Sequence, residues 1–81
     1  MYKKMIITKT LTNADGDTYV KAMSHADYET TEWNDLLDGF NNHLTVAKRL
    51  AERLGCDVNS HDHSESLDDS GYVFFFDRPK G

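Results

Sequence analysis

The stretch from Thr31 to Gly55 (TEWNDLLDGFNNHLTVAKRLAERLG) constrains this chain more than any other. Apolar residues fall at Trp33, Leu36, Leu37, Phe40, Leu44, Ala47, Leu50, Ala51 and Leu54, in steps of three or four, which is the period of one helical face. Trp33, Phe40, Ala47 and Leu54 stack in one row, and Leu37, Leu44 and Ala51 in the next. The phase runs on through Gly39, Asn41 and Asn42, poor helix formers. The pattern therefore predicts one long helix, bent near Gly39. Thr31 serves as its N-cap, Glu32 and Asp35 lie in its first turn, and Gly55 is its stop.

A single long helix needs an apolar surface to lie on, and the flanking segments supply one. Residues 2–11 alternate as a strand, with Met5, Ile7, Lys9 and Leu11 on one face and Ile6, Thr8 and Thr10 on the other. Residues 13–17 (NADGD) make a turn. Residues 18–26 return, with the small set Val20, Ala22, Ser24 and Ala26 suited to a helix and Tyr19, Lys21, Met23 and His25 pointing away. After Gly55, residues 56–60 alternate weakly, residues 61–70 (HDHSESLDDS) read as a polar loop, and residues 71–77 (GYVFFFD) form the strongest strand. The expected fold is a single α+β domain spanning 1–81. It has a small antiparallel sheet of three or four strands in β-β-α-β-β order, with one long helix packed on one face.

The last strand is apolar on both faces, Tyr72, Phe74 and Phe76 against Val73 and Phe75, and one helix covers only one of them. The second face is therefore expected to meet another copy or a partner, through Ile6, Tyr19, Met23 and one aromatic set of the last strand. The competing expectation is cover by loops and the tail.

Composition narrows the function classes. The net charge is −5, and two blocks lack any Lys or Arg: 27–38, with Asp27, Glu29, Glu32, Asp35 and Asp38, and 57–69, with Asp57, Asp62, Glu65, Asp68 and Asp69. Such a chain has no general attraction to nucleic acid or anionic membranes. No apolar run reaches membrane-spanning length, and Met5–Ile7 is too short for a signal-peptide core. Cys56, the one cysteine, allows no internal disulfide, which favours the cytoplasm.

Candidate chemistry is sparse. His61 and His63 in an extended segment put two imidazoles on one side, with Cys56, Asp57 and His25 as further ligands for a transition metal, but H-x-H lacks the remaining ligands at a defined spacing. The polar-loop interpretation is preferred, and no cofactor or metal is expected. The 13–17 turn has the composition of a calcium loop without its glycine position or closing Glu. His43 lies on the apolar side of the helix, with no nucleophile at an interpretable spacing, so it belongs at the core edge. Ser64, Ser66, Asp68 and Asp69 form no triad pattern. Tyr72, Phe74 and Phe76 alternate as a base-stacking face does, but without basic surroundings they suit a core. The chain is therefore expected not to be an enzyme.

The remaining feature is the acidic surface. Asp35, Asp38, Asp62, Glu65, Asp68 and Asp69 are the expected partner-binding residues. A continuous negative face of this kind imitates a phosphate array and competes for a basic groove, as small acidic inhibitors from phages and plasmids do. The expected function is a non-enzymatic protein-binding module, an inhibitor of a basic or nucleic-acid-handling protein. A metal-binding protein or metal-dependent enzyme at His61/His63, and a structural homodimer through the open sheet face, are the alternatives.

Overall fold

The computed structural model describes residues 3–25, 27–65 and 71–77. In order these form β1 (Lys3–Thr12), β2 (Thr18–Met23), β3 (Tyr28–Glu32), α1 (Gly39–Arg53), β4 (Asp57–Glu65) and β5 (Gly71–Asp77). The five strands make one antiparallel sheet in the order β3-β2-β1-β5-β4, and α1 packs across one face of it. The α+β class with one helix is as expected. The strand count and order are not: five strands replace three or four, and the added strand β3 lies before the helix.

The β1–β2 connection is built by Asn13, whose Oδ1 accepts from the amides of Asp15 and Asp17, both at 3.0 Å. Gly16 takes the left-handed backbone (φ 86°) that the return requires. A hairpin turn, not a calcium loop, uses these atoms.

Thr31 is a strand residue, not a helix cap. Residues 28–32 (YETTE) pair with β2 from Tyr19↔Glu32 to Met23↔Tyr28, and the β-branched threonines suit that role. Asn34 then turns the chain, its Oδ1 accepting from the Leu36 amide at 2.9 Å. The helix begins only at Gly39, capped by Asp38, whose Oδ1 accepts from the Asn41 amide at 2.7 Å. Asn42, buried, holds the entry in place. It accepts from the Asn34 amide at 2.8 Å and donates to the carbonyls of Asn34, Leu37 and Asp38. Trp33, Leu36 and Leu37 are thus outside the helix, and Leu36 is 93% exposed.

The other helix end follows the sequence. Gly55 is left-handed (φ 81°), its amide bonds Glu52 O, and the Cys56 amide reaches Ala51 O, the paired bonds of a Schellman stop. Arg53 in the last turn bridges Asp27 and Glu29, so two residues of the first acidic block already have a cation.

The core lies between α1 and the sheet. Val46, Ala47, Leu50 and Ala51 meet Ile6, Val20, Ala22, Phe74 and Phe76, all fully buried. The small residues of β2 do face the helix. Ile6 faces it too, and this corrects its expected place on the second face: it pairs with Phe74 and shares a face with Thr8. The far face carries Met5, Ile7, Leu11, Tyr19, Met23, Val73 and Phe75, none of them fully buried.

Residues His61–Glu65 are strand, not loop. They pair with β5 from His61↔Phe76 to Glu65↔Tyr72, after a register shift between Asp57 and His61. Polar side chains on an edge strand discourage further pairing, which is consistent with this segment's composition. The rest of the expected loop, 66–70, lies outside the described residues.

Candidate protein-binding site

Pairing of β2 with β3 brings the β1–β2 turn and the β3–α1 connection to the same end of the sheet. The Trp33 amide extends the ladder by donating to Thr18 O at 3.2 Å. Between the two connections a cleft of about 510 Å³ opens, lined by Asn13, Gly16, Asp17, Thr18, Tyr19, Glu32, Trp33 and Asp35. Three of these are carboxylates and none is Lys or Arg. Trp33, the chain's one tryptophan, is half-buried, with its ring edge-on to His43 at 6.4 Å. Next to Asp35, Leu36 projects into solvent. An aromatic wall beside carboxylates is suited to a guanidinium or ammonium group, which stacks on the ring while its N–H groups meet the acids.

The expected acidic residues scatter around this cleft. Asp35 lines it. Asp38 lies three residues on and is engaged in the helix cap. Asp62 sits on β4, at the opposite edge of the sheet, and accepts from Lys3 Nζ at 2.7 Å. That contact holds the Asp62 carboxyl below its usual range and raises the Lys3 ammonium. Glu65 stands three residues from Asp62 on the same strand, so the two point to opposite faces. Asp68 and Asp69 lie outside the described residues. Asp17 and Glu32 join Asp35 in the cleft without having been singled out by sequence. In sequence Asp17 falls in a turn cluster and Glu32 in helical phase, and the strand propensity of Thr30 and Thr31 is the signal that places Glu32 opposite Tyr19.

His61 and His63 pack on rings rather than around a vacant centre. His61 lies 5.6 Å from Phe76, and His63 4.6 Å from Phe40, centroid to centroid. Among the described residues no group of three or more His, Cys, Asp or Glu side chains is placed to hold a metal. Cys56 is buried under the core and His25 is exposed beyond the end of β2.

His43 is the buried polar centre of the fold. Its Nδ1 is 2.7 Å from Thr8 Oγ1 and its Nε2 2.9 Å from Thr10 Oγ1, so one ring nitrogen donates and the other accepts. Tyr72 lies edge-on at 5.2 Å, and its amide donates to Thr8 Oγ1. Burial holds this imidazole below its ordinary value of 6.5, and burial, with Lys48 and His63 adding to it, does the same for His61. The unfolded chain then binds more protons than the folded one in mild acid. The stabilisation is complete above the ordinary histidine value and is lost as pH falls through it toward the lower folded values. Urea midpoints taken at about pH 7.5 and about pH 5.5 are expected to differ, the acid one being lower, and His43→Gln is expected to reduce the difference. Equal midpoints for the parent protein would refute a neutral buried His43.

Comparison with protein families, curated proteins and solved structures gives no match to this chain. Among the described residues, no helix is long and apolar enough to cross a membrane.

Proposed function

We propose that this protein is a non-enzymatic binding module that takes a basic segment of another protein into the cleft at Asp17, Glu32 and Asp35. The observation that supports this is the grouping of those three carboxylates around Trp33 and Tyr19 with no lining cation. Leu36, exposed beside the acids, adds an apolar contact of the kind that anchors a protein interface. Asp38 and Asp62 already have intramolecular partners, so the proposal rests on Asp35 with Asp17 and Glu32 rather than on one continuous acidic face. Inhibition of a nucleic-acid-handling protein is the use we assign to such a module, because the basic grooves of those proteins present closely spaced Arg and Lys. A cytoplasmic setting belongs to the same proposal, supported by the single cysteine, which allows no internal disulfide.

Trp33 makes the test direct, since the fluorescence of the only tryptophan reports from the cleft wall. Titration with an arginine-rich peptide is expected to change Trp33 emission saturably, and added salt to weaken binding. Glu32→Gln/Asp35→Asn is expected to weaken it by about tenfold or more, whereas a neutral glycine-serine peptide gives no response. An unchanged emission, or equal affinity in the double variant, would show that the cleft is not the binding site.

A further inference from the structure

We infer that the partner's basic segment binds as an added strand on the free edge of β3, its cationic side chains reaching the cleft; this rests on the binding function proposed above and supplies its mode. β3 is one edge of the sheet. Two bonds at its ends fix which of its backbone groups face outward. The Trp33 amide donates to Thr18 O at 3.2 Å, and the Ser24 amide to Asp27 O at 2.8 Å. Both pairs continue the register that runs from Tyr19↔Glu32 to Met23↔Tyr28. In an antiparallel ladder the bonded pairs alternate with unbonded ones. Asp27, Glu29, Thr31 and Trp33 therefore turn their peptide groups toward β2, and Tyr28, Thr30 and Glu32 turn theirs outward.

Tyr28 is already met. Its amide donates to Asp27 Oδ1 at 2.8 Å, and its carbonyl accepts from Arg53 at 2.6 Å. Among the described residues nothing meets the outward amides and carbonyls of Thr30 and Glu32, and both residues are exposed. Arg53 thus closes one end of the edge and leaves open the end beside the cleft. The open stretch is suited to a strand. Its register is unbroken, and YETTE holds no lysine, proline or bulge. The opposite edge, β4, breaks register between Asp57 and His61 and has no such continuous ladder.

Charge and backbone together select the occupant. Glu32 borders the open edge and, with Asp17 and Asp35, lines the cleft, where no lysine or arginine stands. Lys21, opposite Thr30, leans over the Tyr28 ring at 4.7 Å, away from Glu32. An arginine or lysine laid beside Glu32 on an added strand makes a cross-strand ion pair with it and reaches toward Trp33 and Asp35. A second copy of this chain would bring the same acids to the same edge and is repelled. A basic helix meets the acids but spends its peptide groups on itself, so it cannot use those of Thr30 and Glu32. The partner is therefore an extended basic segment, a tail or loop whose backbone is unpaired before binding.

An alternating Arg-Thr peptide tests this, because as a strand it puts all its arginines on one side, the side of Glu32. Two derivatives are made, one N-methylated at the arginine amides and one at the threonine amides, and each is titrated against Trp33 emission. One set of amides faces β3 and the other faces away, whichever direction the peptide runs. Methylation of one set is expected to weaken binding about tenfold or more, and methylation of the other to leave it within about twofold. In the protein, Thr30→Pro removes an outward amide without touching the β2 ladder, since proline is tolerated at such an edge position. It is expected to weaken binding of the unmethylated peptide by about tenfold or more with the far-UV spectrum intact, whereas Thr30→Val, which keeps the amide, leaves it unchanged. Equal affinities for the two methylated peptides, or a folded Thr30→Pro that binds as the parent does, overturn strand addition. If Glu32→Gln/Asp35→Asn still weakens binding in that case, the cleft function stands without it. No response to any of the peptides overturns both.

Discussion

Gly71→Ala is expected to be the most damaging small substitution in this protein, with a loss of roughly 3 kcal/mol or more in urea unfolding. A Cβ at position 71 would stand 1.8 Å from the carbonyl oxygen of Thr8 and 2.7 Å from its carbon, with His43 Cε1 at 3.1 Å. The first two are backbone atoms of the central strand. They cannot turn aside as a flexible side chain does. Relief requires β1 and β5 to part where Thr8 pairs with Tyr72 and Lys9 with Gly71. Parting them also pulls Thr8 Oγ1 from the Tyr72 amide and from His43, leaving buried polar groups unmet. A domain of this size has a total stability of roughly 4–12 kcal/mol, so the variant is expected to be largely destabilised or unfolded. An unfolding midpoint close to that of the parent would mean that β1 and β5 do not approach so closely at this point.

The second large effect separates two adjacent phenylalanines. Phe74 is fully buried, ringed by Phe40, His63, Tyr72 and Phe76. Phe74→Ala is expected to cost about 3–5 kcal/mol, through lost burial and the cavity left under the helix. Phe75, one residue on, lies on the opposite face and is half-buried. In dilute solution Phe75→Ala is expected to cost well under half as much, because no helix packs against it and little cavity forms. The measurement is the same denaturation series on both variants. Equal losses would contradict the placement of the helix on the Phe74 side.

Much of this architecture is written in local pattern, and the rest depends on partners distant in sequence. Residues 3–12, 18–23 and 71–77 show as strands because their alternation is strong, and the glycines at 16 and 55 mark the turn and the helix stop. The sequence pattern places the helix start too early because Trp33, Leu36 and Leu37 fall in helical phase by accident, whereas the helix begins at Gly39. The deciding residues were less conspicuous: Thr30 and Thr31 for a strand, Asn34 for a turn, Asp38 for a cap. Ile6 looked like a residue of the wetter face because Thr8 and Thr10 share its side. Those threonines are there to bond His43, a fact no periodicity reveals. His61–Glu65 has little strand propensity of its own and becomes a strand through pairing with β5. The candidate cleft was one-third legible. Asp35 stood out in an acid-rich block, whereas Asp17 and Glu32 reach it only through the β2–β3 pairing.

The placement of β1 at the centre of the sheet also dictates an order of assembly. β1, β2 and β3 form a meander of local contacts, which close quickly because little chain is searched. The other neighbour of β1 is β5, and the Thr8–Tyr72 contact spans 64 residues. Closing a loop of that length costs more chain entropy than pairing sequence neighbours, whereas β4 and β5, with only residues 66–70 between them, pair as locally as β1 and β2 do. The seam between β1 and β5 joins two locally formed pieces, and substitutions along it are expected to slow refolding more than substitutions between β2 and β3.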